Sequence, residues 1–259
     1  EKKHKTLLTW LHRRKTSILI TSPLTSFQFV ETIRKLRRRV EQHLHGRKVL
    51  MVTSLLENEG KSTVAVNLAL SLAEKHKRVL LIDCDMRKPA CHSILEHKEF
   101  PHGVRDVLRK KVDLSDALIR YQATNLYMLL ENSGNTKSGD LITSSRMAQL
   151  LEQVKEEFDF IILDLPPTSA ASDAEGMKRL ADACLLVVRQ NMASAKALDK
   201  AIAALDGGKA KMLGCVLNNV YSTRLTSGQS HGYGRYGKYK YYGLSLIHIS
   251  EPTRRYAIS

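Results

Sequence analysis

The sequence is poor in cysteine and has no long apolar run. Its four cysteines, at positions 84, 91, 184 and 215, are not spaced as metal ligands, and three of them lie in or beside apolar runs. This pattern indicates the reduced thiols of a cytosolic protein rather than a disulfide framework or a zinc site. No apolar run is long enough to cross a bilayer, and residues 16–20 are too short and too polar-flanked for a signal peptide. We therefore expect a soluble chain that reaches a membrane only through a partner.

Acidic residues are scarce at the two ends of the 259-residue chain. Residues 1–48 hold 13 Lys and Arg against 3 acids, and residues 233–259 hold 5 against 1, whereas the residues between them are almost neutral. An evenly basic nucleic-acid-binding domain is therefore not expected. The basic ends suit an acidic partner, a membrane surface or nucleic acid, and residues 1–22 are expected to form a basic arm.

The central motif lies between Val49 and Asn67, which reads VLMVTSLLENEGKSTVAVN. An apolar strand, a polar turn with Gly60-Lys61-Ser62-Thr63 and an Ala/Leu-rich helix follow one another, as in a phosphate-binding P-loop. Backbone N–H groups and the helix N-terminus would face the phosphates, with Lys61 on the outer phosphates and Ser62 on Mg²⁺. Leu55 stands where the first Gly of the usual pattern belongs, so the match is incomplete.

Carboxylates follow two further apolar strands. The strand Val79–Ile82 ends in Asp83 and Asp85, and the run FDFIILDLPP places Asp164 at the end of another strand. Open α/β sheets bind ligands at this carboxyl edge, and an Asp after a strand downstream of a P-loop is the Walker-B arrangement for Mg²⁺. The alternative for Asp164 is a cap of the next turn.

The remaining pattern alternates strands and helices. Further strands are predicted at residues 126–130, 183–188 and 212–217, and helices at 140–157 and 194–205. This alternation predicts an α/β fold, a doubly wound, mostly parallel sheet with helices on both faces, over residues 23–230. A preceding helix, residues 26–45, carries Glu31, Arg34 and Arg37 on one strip of its surface. That strip is either a solvated charged face or a self-association surface.

The end of the chain changes character. Residues 231–243 interleave Gly, Lys and Arg with five of the nine tyrosines, Tyr233, Tyr236, Tyr239, Tyr241 and Tyr242. No hydrophobic periodicity folds this segment, so a flexible tail is expected. It could stack single-stranded nucleic acid, undergo repeated phosphorylation, or simply be a sticky tail. Residues 244–259 contain SLIHISEPTR, which resembles translated sequencing-adapter DNA. We expect this tail to be non-native and assign no function to it.

Together these motifs resemble the bacterial tyrosine autokinases (BY-kinases) of capsule and exopolysaccharide synthesis. The resemblance covers roughly residues 20–243. It is carried by ENEGKST, VLLIDCDMRKP, FDFIILDLPP, the tyrosine cluster and the Glu31-x-x-Arg34-x-x-Arg37 helix. It implies an ATP- and Mg²⁺-dependent protein-tyrosine kinase that phosphorylates its own tail in trans. It also implies a cytoplasmic kinase that is recruited to the membrane by the cytoplasmic segment of an activator protein, assembles into homo-oligomeric rings and binds no nucleic acid.

The resemblance assigns roles residue by residue. Asp83 would be the general base for the tyrosine hydroxyl, and Lys61 and Asp85 complete the catalytic set. Ser62, Asp85 and Asp164 would hold Mg²⁺. The motif Glu31, Arg34 and Arg37 would mediate oligomerisation, and the five tail tyrosines would accept phosphate. The nucleotide-binding residues would be Asn58, Glu59, Gly60, Lys61, Ser62, Thr63 and Asn218.

One other class stays open as the alternative, the septum-site and partition ATPases, which switch without phosphorylating protein. Those proteins carry an extra lysine early in the loop, where this chain has Leu56. The tyrosine kinases often have Pro-Gly where this chain has Glu57-Asn58. Asn tolerates a positive φ better than most residues, so we expect the turn to survive this change.

Overall fold

The computed structural model describes residues 18–97, 99–131, 134, 139–169, 173–206, 208–219 and 246–248. The strands of this part are β1 Val49–Ser54, β2 Val79–Asp83, β3 Ile119–Arg120, β4 Leu126–Leu129, β5 Phe160–Asp164, β6 Ala183–Arg189, β7 Lys211–Asn218 and β8 Leu246–His248. The helices are α1 Phe27–Leu44, α2 Lys61–Ala73, α3 Cys91–Ile94, α4 Val104–Leu108, α5 Leu114–Ala117, α6 Gly139–Ile142, α7 Ser145–Lys155, α8 Asp173–Met177 and α9 Ala195–Leu205.

All eight strands belong to one sheet, in the order β3-β4-β2-β5-β1-β6-β7-β8. The six strands from β4 to β7 run parallel, while β3 and β8 pair antiparallel at the two edges. From β1 the chain moves outward to β2 and β4, returns to β5, and then crosses to β6 on the other side of β1. This arrangement confirms the predicted doubly wound fold, and it creates a ligand crevice at the carboxyl ends of β1, β2 and β5.

Helices cover both faces of the sheet because its central strands are apolar on both sides, as parallel strands require. Helix α2 packs directly on one face and is buried along its whole length except at Thr63. Helix α1 lies over α2, and Ser26 caps its first turn by accepting a hydrogen bond from the Phe29 N–H. It buries an apolar stripe formed by Phe29, Ile33, Leu36, Val40 and Leu44. A second group of buried apolar side chains covers the opposite face of the sheet, under α7 and α9.

Two predicted boundaries differ from the structure. The helix expected over residues 140–157 is two helices, because the Ser144 hydroxyl accepts from the Met147 N–H and starts a new helix there. The end of the expected basic arm is docked, since Leu19 and Ile20 are buried. The Asn67 side chain binds this segment by accepting from the Ile20 N–H and donating to the Ile18 carbonyl. Residues 18–20, which the sequence assigned to the basic arm, therefore pack against α2.

The tyrosine cluster at 233–242 lies outside the described residues. Of the segment that we regard as non-native, only Leu246–His248 is described, and it pairs with β7 as an edge strand. Within the described chain, no helix has the length and apolar character needed to cross a membrane. The four cysteines are free, and three of them are buried.

Candidate nucleotide and phosphoryl-transfer site

The loop between β1 and α2 has the backbone of a phosphate-binding turn. Asn58 adopts a φ of 62°, which confirms that an Asn in place of the usual Gly keeps the turn, and Gly60 adopts a φ of 90°. The Glu59 carboxylate folds under the loop, where it accepts hydrogen bonds from the Leu56 N–H at 2.6 Å and the Arg189 N–H at 3.2 Å. The buried Glu59 side chain therefore shapes the loop rather than facing a ligand, a role that its place in the motif did not reveal.

Asn218, at the end of β7, supports the same loop from the other side. Its amide nitrogen donates to the Glu59 carbonyl at 2.8 Å. A Cβ at Gly60 would overlap this amide nitrogen, so position 60 needs glycine both for its φ and for space. Asn218 does not line the cleft described below, and the contact with adenine that the resemblance implies stays a prediction.

Asp83 and Asp164 lie side by side because β2 and β5 pair in parallel with these two residues in register. Both are fully buried. Burial, with the neighbouring charge of Asp164, raises the pKa of Asp83 well above its ordinary value, and burial likewise raises the pKa of Asp164. Asp83 accepts hydrogen bonds from the backbone N–H groups of Asp85, Ala90 and Cys91. In this conformation Asp83 organises the turn after β2 and is closed off from the cleft, so its role as general base stays a prediction.

Lys61 lies at the centre of the acidic group. Its Nζ is 2.8 Å from Asp85 Oδ2, 3.4 Å from Asp164 Oδ1 and 3.2 Å from Ser62 Oγ. Burial alone lowers the pKa of Lys61, but the charges of Asp164 and Asp85 outweigh that effect and raise it above its ordinary value. The ammonium is therefore firmly protonated.

Lys61, Ser62 and Asp85 line a cleft of about 610 Å³, and the buried Asp164 carboxylate lies behind Lys61. The cleft runs from the P-loop, including Asn58 and Thr63, to Arg87 and Lys88 after β2 and to the double proline after β5. Its mouth is spanned by an ion pair between Lys88 and Glu57 at 2.6 Å. A second cavity of about 640 Å³ lies between α4, α5 and α7, and it contains none of the predicted site residues. The smaller cleft is therefore the candidate nucleotide site.

The donor set fits a divalent cation. The Ser62 hydroxyl and the carboxylates of Asp85 and Asp164 converge on one point, and hard oxygen donors are the ligands that Mg²⁺ prefers. With Asp83, three buried carboxylates surround one ammonium, and a divalent cation would relieve this excess of negative charge. The Cys91 thiol, which sequence reasoning missed, donates to Asp164 Oδ2 at 3.5 Å and lies close to Asp83 and Asp164, but a soft thiol is a poor ligand for Mg²⁺.

The predicted oligomerisation strip is only partly on the surface. Arg34 is half-exposed and forms ion pairs with Glu31 at 3.1 Å and Glu74 at 3.6 Å. Arg37 instead turns inward, where its guanidinium donates to the Ser71 carbonyl at 3.0 Å. The expectation that all three motif residues share the surface is therefore wrong for Arg37, because the close packing of α1 on α2 buries it.

Comparisons with known proteins identify relatives of this chain. The family model described as an AAA domain matches residues 48–211. The tyrosine-protein kinase YwqD of Bacillus subtilis is 33% identical over 186 residues, which cover 72% of this chain and 77% of YwqD. The tyrosine-protein kinase wzc of Salmonella typhimurium is 30% identical over 209 residues. That match takes in 80% of this chain but only 29% of wzc, so the chain spans less than a third of that relative's length.

Solved structures show the same fold. The kinase domain of the Escherichia coli tyrosine kinase ETK superposes with a TM-score of 0.72 at 28% identity, covering 86% of this chain and 88% of that domain. The septum site-determining protein MinD from Pyrococcus horikoshii, complexed with Mg-ADP, superposes with a TM-score of 0.57 at 24% identity, covering 66% of this chain and 70% of MinD. The MinD likeness shows the fold alone. From its P-loop, its strand-end carboxylates and these matches, the chain belongs to the bacterial tyrosine-protein kinase family of P-loop proteins.

Proposed function

We propose that this chain is an ATP- and Mg²⁺-dependent protein-tyrosine kinase of capsular or exopolysaccharide synthesis. The observation that carries the proposal is the convergence of Lys61, Asp85, Asp164 and Ser62 at one end of the P-loop cleft. Phosphoryl transfer requires mainly positioning and charge neutralisation, and this cleft offers a cation, hydrogen-bond donors and oxygen ligands within a few ångströms. Family membership supports a tyrosine hydroxyl as the acceptor.

Each residue has a distinct task in this proposal. The backbone N–H groups from Asn58 to Ser62 and the N-terminus of α2 bind the phosphates, and Lys61 moves onto the outer ones. Ser62, Asp85 and Asp164 would hold Mg²⁺, which when bound neutralises charge on the phosphates. Asp83 receives the proton of the tyrosine hydroxyl, directly or through water, once nucleotide and acceptor have rearranged the turn after β2.

The five tail tyrosines are the proposed acceptors, reached in trans in a neighbouring copy of the chain. Self-association would use the exposed part of α1, where the pair Glu31 and Arg34 is half-exposed. A cytoplasmic segment of a membrane protein would activate the kinase and recruit it to the membrane. Other protein tyrosines would be further substrates.

A phosphotyrosine assay tests the proposal. The chain is incubated with labelled ATP and Mg²⁺, and phosphotyrosine is mapped by mass spectrometry. Lys61→Met should abolish labelling, while Lys75→Met, which removes an exposed lysine beyond the far end of α2, should leave it unchanged. Changing the five tail tyrosines to Phe should remove most of the label and keep ATP binding.

Two outcomes would contradict the proposal. Absence of phosphotyrosine, with and without added cytoplasmic segments of candidate membrane partners, would refute kinase activity. Steady ATP hydrolysis without phosphotyrosine would instead favour a septum-site or partition type of ATPase.

A further inference from the structure

The position of the Lys61 ammonium has a consequence for metal binding. Its Nζ lies within 3.4 Å of an oxygen of each side chain to which we assign Mg²⁺, namely Ser62, Asp85 and Asp164. The lysine side chain is only 11% exposed, and those of Asp85 and Asp164 are 4% and 0% exposed. The ammonium therefore occupies the space on which the metal ligands converge.

The charges around the cleft make this placement strongly favourable. Asp83, Asp85 and Asp164 are all buried, and burying an unpaired carboxylate is costly. The other two cations that line the cleft have acidic partners of their own, since Arg87 pairs with Asp173 at 3.7 Å and Lys88 pairs with Glu57. Among the described cleft residues, Lys61 is thus the cation that neutralises the strand-end carboxylates.

We infer that in the nucleotide-free protein Lys61 fills the metal site and excludes the divalent cation until a nucleotide draws the ammonium away. An ammonium and a divalent cation repel each other and cannot share the same carboxylate oxygens. Lysine has a flexible four-carbon stem, so its head group can exchange the carboxylates for the terminal phosphates of a bound nucleotide. The vacated ligands are then free for the metal.

This exchange couples the two ligands. The nucleotide opens the metal site, and by linkage the metal must strengthen nucleotide binding by the same factor. The coupling adds to the chelation of metal by nucleotide in solution, because it resides in the protein. The inference rests on the proposed function for its ligands, but it concerns the state of the protein before any nucleotide binds.

Mn²⁺ alone is a suitable probe, because electron paramagnetic resonance counts the unbound ion directly. Without nucleotide, wild-type protein should bind Mn²⁺ only weakly. Lys61→Met should bind one Mn²⁺ on the order of 10- to 100-fold more tightly, the usual size of a coupling between sites. The added affinity should disappear in Lys61→Met combined with Asp164→Asn. Lys88→Met is the matched control, since it removes a cleft cation outside the carboxylate group and should bind Mn²⁺ as wild type does.

Several results would overturn the inference. One is tight binding of Mn²⁺ by the nucleotide-free wild type, if Asp164→Asn abolishes that binding. Another is an equal gain in Mn²⁺ affinity in Lys61→Met and Lys88→Met. If Lys61→Met fails to fold by circular dichroism, Lys61→Gln gives the same charge removal with a polar side chain, and an unchanged Mn²⁺ affinity there refutes the exclusion. A protein that shows the Lys61 effect but binds no ATP would contradict the proposed function and the release by nucleotide, while the exclusion of the metal by Lys61 would stand.

Discussion

Removing Arg37 should destabilise the fold far more than removing Arg34, although both belong to the same sequence motif. The Arg37 side chain is 6% exposed, lies over α2 and donates to the Ser71 carbonyl at 3.0 Å. The Arg34 side chain is 39% exposed and pairs with Glu31 and Glu74 near the surface. Solvent therefore screens the ion pairs of Arg34 but hardly reaches the hydrogen bond of Arg37.

The two substitutions differ in expected magnitude. Arg37→Ala loses a hydrogen bond from a charged donor, about 1.5 to 3 kcal/mol, and the buried packing of its stem, so we expect about 3 to 4 kcal/mol less free energy of unfolding. Arg34→Ala should cost less than about 1 kcal/mol, as for exposed ion pairs. For a chain of this size the Arg37 loss corresponds to a fall in Tm of about 6 to 15 °C.

Urea unfolding followed by circular dichroism measures both values. Arg37→Met keeps most of the packing and removes the hydrogen bond, so it should fall between wild type and Arg37→Ala. Equal losses for Arg34→Ala and Arg37→Ala, or no loss for Arg37→Ala, would show that Arg37 is not held inside the chain. Because of this difference, the clean test of self-association is Arg34→Ala, measured by analytical ultracentrifugation. Unchanged oligomers in that variant would contradict the proposed surface.

Three further predictions address the loop, the docked segment and pH. Gly60→Ala should abolish binding of a fluorescent ATP analogue, because Asn218 fills the space that the new Cβ would need. Backbone strain alone should cost about 1 to 2 kcal/mol, because φ at this position is 90°. An ATP affinity like that of wild type would contradict this prediction. Asn67→Ala should lower the free energy of unfolding by about 2 to 3 kcal/mol, since it leaves the Ile20 N–H and the Ile18 carbonyl unpaired. A loss below about 0.5 kcal/mol in urea unfolding would show that Asn67 does not hold this segment. Burial alone raises the pKa of Asp182. Hydrogen bonds from the backbone N–H groups of residues 48 and 49, together with the ammonium of Lys209 at 3.3 Å, outweigh burial and hold the pKa below its ordinary value. Its stabilising effect should therefore be complete above about pH 4 and fall away at lower pH. Urea unfolding of Asp182→Asn and wild type should converge as the pH falls, and a constant difference between them would contradict the assignment.

The sequence by itself determined the fold class and the main parts of the site. Local sequence is enough to predict a phosphate site. Two apolar strands end in Asp83 and Asp164, and a strand-loop-helix pattern contains Gly60-Lys61-Ser62. A short continuous apolar run is typical of a parallel strand buried on both faces, and a carboxylate at its end lies at the edge where such sheets bind ligands. The resemblance to the tyrosine kinases followed from the same residues, and the comparisons confirmed it.

Only the tertiary structure decided which of these side chains face the cleft. Glu59 lies in the loop, and it contacts Arg189 and Asn218, which are far from it in sequence, only because β6 and β7 end beside the loop. Arg37 looks like its neighbour Arg34 in sequence, yet helix packing buries one and leaves the other half-exposed. The contact of Lys61 with Asp85 and Asp164 joins three elements, and its chemistry depends on burial and distances that local sequence does not encode.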